Sequence, residues 1–112
     1  MEREMQKLLY SKGVFRHYQG YDYFVRSVQM VQEKPECIQH IYKEIYFEIA
    51  NEVGKDVRAI ERDIRTVRDV FFKNGGEKLL AHMCGIDTWN RNRPYPGEMI
   101  EIFATYLQNR KK

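Results

Sequence analysis

The amino-acid sequence predicts an all-α fold, a compact bundle of about six helices containing a helix-turn-helix. Apolar residues recur at spacings of three and four along almost the whole chain, the period of a helix with one buried face. No Asn-Gly or Asp-Gly pair stands between alternating runs, so hairpin signals are missing. A length of 112 residues, 43% of them apolar and 31% charged, suits a single domain with a core of its own over residues 1–112.

The first helix is expected over roughly residues 2–11, with Met5, Leu8 and Leu9 on one side and Gly13 as its C-terminal cap. After the connector "VFRHYQG", the residues Tyr21, Phe24, Val25, Val28 and Val31 mark a second buried face. Pro35 fits the first turn of the next helix, where its missing N–H costs nothing. From there Ile38, Ile41, Tyr42, Ile45, Ile49, Ala50 and Val53 form a nearly unbroken stripe, which one long helix or two in sequence would satisfy equally. Gly54 and Lys55 interrupt it, and Asp56 is a good N-cap for a helix running to about Lys73, stopped by Asn74-Gly75-Gly76. A shorter helix follows around Glu77 to Cys84, closed by Gly85, and "IDTWNRNRPYPG" is a loop. The last helix, about Gly97 to Asn109, turns Ile100, Phe103, Ala104 and Leu107 inward, leaving Met99, Ile102 and Tyr106 as exposed apolar residues.

Composition excludes several classes of function. No stretch approaches the roughly 20 apolar residues that a bilayer span needs, and the charged N-terminus lacks the apolar centre of a signal peptide, so a cytoplasmic protein is expected. Cys37 and Cys84 stand far apart without a Cys-x-x-Cys pair, which argues for two small buried side chains rather than a disulfide or zinc. His17, His40 and His82 have neither ligand nor triad spacing with Asp, Glu or Cys; no enzyme, metal site, cofactor or small-molecule substrate is expected. Trp89, in the basic loop, fits a lid on the core or a partner contact.

Charge is unevenly spread. Residues 33–52 carry five glutamates against Lys34 and Lys43, whereas residues 55–73 carry six bases and four acids and residues 88–112 five bases and two acids. Such asymmetry within a chain of net charge +3 suggests a basic face for a polyanion.

The helix after Asp56 concentrates the signal. At about 100° per residue, Val57, Ile60, Ile64, Val67 and Phe71 fall within a sector of roughly 80°, the core face. Arg58, Arg62 and Arg65 fall within a comparable sector on the far side, with Lys55 and Asp69 close by and Glu61 at the flank. A solvated face laced by Glu61–Arg65 and Asp69–Lys73 pairs is one explanation. Against it, Arg58 with Arg62 and Arg62 with Arg65 are like-charge neighbours, which disfavour an isolated helix.

The preceding segment favours a nucleic-acid partner. Ala50, Gly54 and Ile60 have the spacing of a helix-turn-helix at about residues 46–73: a small residue for close approach, a glycine turn, and an aliphatic packed under the first helix. In that motif the second helix enters the DNA major groove with its N-terminal turns toward the bases. Arginine pairs bidentately with guanine and glutamate accepts from cytosine, so Arg58, Glu61, Arg62 and Arg65 are candidate base readers.

The segments "GVFRHYQGYDYFVRSVQMV", "IANEV", "IERDIR" and "NRNRPYPGEMIEIFATYL" resemble the C-terminal DNA-binding domain of the sporulation initiation response regulator family. The likeness extends from about Leu8 to Leu107. It implies a compact helical domain that binds a short promoter element, often as tandem head-to-tail copies. It also implies base contacts by Glu61 and Arg62, and a base or phosphate contact by Arg65. Arg91 and Arg93, flanking Asn92 before Pro94, match a basic pair in the family and become candidate phosphate contacts, together with Lys55 and Thr66 beside the base readers.

Departures from the family pattern alter the expectations. A family arginine two residues before the glutamate is Ala59 here, with Arg58 one position earlier, so the preferred DNA sequence is expected to differ. Phe47 stands where the family has a proline, and one residue is missing between Gly85 and Arg91. The family's receiver domain has no counterpart upstream, as in an excised or free-standing effector domain. The competing functional reading is a protein-interaction module that pairs with and titrates a related full-length regulator through Met99, Ile102 and Tyr106.

Overall fold

The second helix is the centre of the molecule. The structure, a computed structural model, describes residues 2–86 and 93–110. These residues form six α-helices: α1 (Glu2–Tyr10), α2 (Gln19–Glu33), α3 (Phe47–Val53), α4 (Val57–Lys73), α5 (Gly76–Cys84) and α6 (Pro96–Arg110). No strand occurs among the described residues, and no helix there is long and apolar enough to cross a membrane.

Helix α2 turns Tyr21, Tyr23, Phe24, Val28 and Val31 inward, and packs against α4 and α6. Where the three helices meet, the Phe24 ring stands edge-on to Phe103 with centroids 5.1 Å apart, and Phe71 meets Phe103 at 5.7 Å. Edge-to-face pairs of this kind add about 0.5–1.5 kcal/mol each beyond the area they bury. Ser27, fully buried, satisfies its hydroxyl by donating to the Tyr23 carbonyl at 2.8 Å. Helix α1 contributes Met5 and Leu9, and the connector after it adds Val14, fully buried although it lies outside any helix.

The stripe from Ile38 to Val53 is neither one helix nor two ordinary ones. Pro35–His40 form a 3-10 turn, Ile41–Tyr46 a π-helical turn, and only Phe47–Val53 are α-helical. The wider π turn shifts the inward face. Tyr46 becomes buried, whereas Tyr42 and Val53, expected inside, are exposed. Ile45, Ile49 and Ala50 keep their expected places in the core.

Helix α6 buries Ile100, Phe103, Ala104 and Leu107 as its period predicts. It also buries Met99 completely, which corrects the expectation of an exposed methionine. The helix begins one residue earlier than expected because Pro96 opens it and the Glu98 carboxylate accepts from the Tyr95 N–H at 2.7 Å, half of a capping box. Cys37 is buried and Cys84 half-buried, and both are free thiols.

Candidate nucleic-acid interface

Local chemistry builds the turn between α3 and α4. Gly54 ends α3 in the left-handed region at φ +70°, and the N–H groups of Gly54 and Lys55 both donate to the Ala50 carbonyl, at 2.8 and 3.0 Å. Asp56 then caps α4, accepting from the Arg58 backbone N–H at 2.8 Å. Ala50 and Ile60 are buried on the two sides of this turn. The helix-turn-helix spacing seen in the sequence is therefore a real turn between packed helices.

Two contacts with α2 hold the pair in place. Arg26 donates bidentately to Glu52, Nε to Oε1 at 3.1 Å and Nη2 to Oε2 at 2.9 Å, tying α2 to α3. The same hydrogen bonding from Arg26 holds the Glu52 carboxyl below its ordinary range. Gly20, in the first turn of α2, lies so close to α4 that a Cβ there would collide with the Asp63 carbonyl oxygen. Sequence reading singled out neither contact, since both join residues distant in the chain.

Helix α4 buries Ile60, Ile64, Val67 and Phe71, with Phe72 beside them; Val57, expected in the core, is half-buried at the helix start. The opposite face carries the predicted ridge. The Arg58, Arg62 and Arg65 side chains are 82%, 68% and 48% exposed. Exposure falls along the helix, so the N-terminal turns project furthest. Each guanidinium has an acidic neighbour: Arg58 Nε lies 3.3 Å from Asp56 Oδ1, Arg62 Nε 3.3 Å from Asp63 Oδ1, and Arg65 Nη2 3.3 Å from Glu61 Oε1. Hydrogen bonds from the Arg58 side chain and backbone hold the Asp56 carboxyl below the usual aspartate range.

These pairs leave donors for a ligand. Arg62 engages Asp63 through Nε alone, and its two terminal nitrogens carry no bond among the described residues. Glu61 stands at the edge of the ridge with its carboxylate bound by Arg65. It also borders a cleft of about 760 Å³ lined by Ile41, Tyr42, Tyr46, Arg68 and Tyr95. Tyr46, at the floor, has its phenol pushed up to about 12, first by burial and then by the Glu61 charge. Thr66 donates its hydroxyl to the Arg62 carbonyl at 3.1 Å on the exposed side of α4, and Lys55 is exposed in the turn.

The basic segment before α6 joins this surface through Arg93. Its Nη1 lies 3.1 Å from Asp69 Oδ1, and the same oxygen accepts from Arg68 Nε and Nη2 at 3.1 and 3.0 Å. Asp69 therefore does not form the expected pair with Lys73; its carboxylate is taken by two arginines. Arg68, unnoticed in the sequence because it sits between the core and outer sectors, also donates to the Pro94 carbonyl at 3.3 Å. Arg91, the other candidate phosphate contact, and Trp89 lie outside the described residues.

Among the described residues no group of His, Cys, Asp and Glu is arranged to hold a metal ion. What the arrangement offers is a cationic helix face of three arginines opened by a capped turn, with a fourth arginine clasped beside it. The family described as "Sporulation initiation factor Spo0A C terminal" matches residues 5–107, nearly the whole chain. Taken with the all-helical architecture, that match establishes that this chain belongs to the Spo0A C-terminal family, DNA-binding domains of transcription regulation in sporulation.

Proposed function

We propose that the protein is a sequence-specific transcription regulator that binds double-stranded DNA with α4 in the major groove. The observation that carries this reading is the ridge of Arg58, Arg62 and Arg65, exposed on the face of α4 opposite its buried stripe and nearest the motif's turn. Major-groove edges are read by such groups: a guanidinium forks onto guanine O6 and N7, and a carboxylate accepts from the cytosine amino group. Arg62 and Arg65 are assigned to bases with Glu61 beside them, and Arg58 to a base at the edge of the site. Lys55, Thr66, Arg91 and Arg93 are assigned to phosphates, which set register without reading sequence. On adjacent promoter elements two copies would bind head to tail.

The acidic neighbours support selectivity. Each arginine keeps a carboxylate beside it that weakens its attraction for diffuse negative charge, so a partner presenting matched acceptors to the remaining N–H groups gains more. The competing reading, a module that titrates a relative through an apolar face of α6, loses its first residue because Met99 is fully buried. Ile102 packs against the core, and Arg110 covers the Tyr106 ring at 5.4 Å.

Titration of the protein against randomised duplexes, with the enriched sequence read out, tests the proposal. A short enriched element containing G·C pairs is the expected result. Retention of all duplexes without enrichment would refute base reading by α4.

A further inference from the structure

The geometry points to Asp69 as a positioning residue for DNA binding: with Arg68 it clasps the Arg93–Pro94 segment to α4 and sets Arg93 in line with the base-reading arginines. The inference rests on the assignment of Arg93 to a DNA phosphate. Asp69 lies seven residues after Arg62, which at about 100° and 1.5 Å per residue puts it on nearly the same stripe, roughly 10 Å further along the axis. A bare carboxylate there would repel the DNA backbone. Its Oδ1 instead accepts from Arg68 Nε at 3.1 Å, Arg68 Nη2 at 3.0 Å and Arg93 Nη1 at 3.1 Å, so two guanidiniums outweigh one carboxylate.

The two arginines differ in what they have left to offer. Arg68 is only 17% exposed and spends its third nitrogen on the Pro94 carbonyl at 3.3 Å, which makes it a strut. Arg93 is 51% exposed and engages Asp69 through Nη1 alone among the described residues, so its remaining N–H groups suit a phosphate. The segment beyond it is stiff: Pro94 is buried, Pro96 opens α6, and the Tyr95 N–H is held by Glu98 at 2.7 Å. Held through its side chain by Asp69 and through the segment that follows it, Arg93 meets a phosphate without first being ordered, and phosphate contact and base reading share one register.

Charge and positioning make opposite predictions for Asp69→Ala, which removes both the charge and the acceptor. Removing a negative charge from a DNA-facing stripe strengthens binding to every duplex if charge alone matters. If Asp69 positions Arg93, the substitution weakens binding to specific and scrambled duplexes alike, by roughly threefold to tenfold near 0.1 M salt, and lowers the salt slope by about one unit. In the Arg93→Ala background it then costs no further affinity. Asp69→Glu, which keeps a charged acceptor, should recover most of the affinity, and thermal unfolding of each variant separates these effects from misfolding. Tighter binding by Asp69→Ala, or losses for Asp69→Ala and Arg93→Ala that simply add, would overturn the clasp while leaving the phosphate assignment intact. A silent Arg93→Ala would remove that assignment, and the clasp with it.

Discussion

The α-carbon of Gly20 faces the carbonyl oxygen of Asp63, so α2 and α4 meet backbone to backbone directly behind the cationic ridge. The contact sets the depth at which α4 sits in the bundle, and so how far Arg62 and its neighbours project. Any side chain at position 20 must push the two helices apart.

Gly20→Ala should therefore destabilise the domain despite alanine's better helix propensity. Overpacking at a rigid contact costs about 1–3 kcal/mol, and a backbone carbonyl cannot swing aside as a side chain would. Urea denaturation measures this as a lower midpoint at unchanged slope. Unchanged or higher stability would show that the helices separate freely.

Arg62→Ala should weaken binding to the preferred duplex by about 1–3 kcal/mol and flatten discrimination at one base pair. The measurement is a set of titrations against duplexes carrying each single base change. An equal loss on scrambled DNA would identify Arg62 as a phosphate contact.

Arg91→Ala should lower affinity for all sequences and reduce the salt slope by about one unit, since one fewer phosphate is neutralised. Binding measured across a range of salt concentrations gives the slope directly. If the slope stays as it was, Arg91 lies outside the interface.

Tyr46 should make the domain sensitive to alkali. Its folded phenol titrates at about 12 against an ordinary value of 10.0, so its contribution is fully present below pH 10 and is lost as pH rises toward 12. The loss amounts to at most about 2–3 kcal/mol. Tyr46→Phe removes this titration, so the stability difference between wild type and variant, followed from pH 8 to 11, should change in the variant's favour. A constant difference would place the phenol in contact with water.

The parts legible in advance were those whose causes are local. Asp56 lies two residues from the N–H it caps, and Gly54 ends α3 by its own backbone conformation. The buried stripe of α4 repeats every three or four residues, so Ile60, Ile64, Val67 and Phe71 could be placed inside and the three arginines outside from spacing alone. The π turn at Ile41–Tyr46 was hidden because Ile41, Tyr42, Ile45 and Tyr46 fit the stripe of an ordinary α-helix, so their spacing carries no sign of the wider turn. Met99 was misplaced for a related reason: α6 is covered on several sides by α1, α2, α4 and α5, so its buried sector is wider than one stripe.

The sequence by itself determined the helical class, the capped turn and the ridge of Arg58, Arg62 and Arg65, because each follows from residue type and short-range periodicity. Only the tertiary structure decided the arginine–carboxylate pairs that join distant segments. Asp69 could pair with Lys73 on its own helix, yet packing brings Arg93 to it across 24 residues. Such a pair depends on distances between chain segments that meet only after the core between α2, α4 and α6 has closed, and no spacing within one helix encodes them.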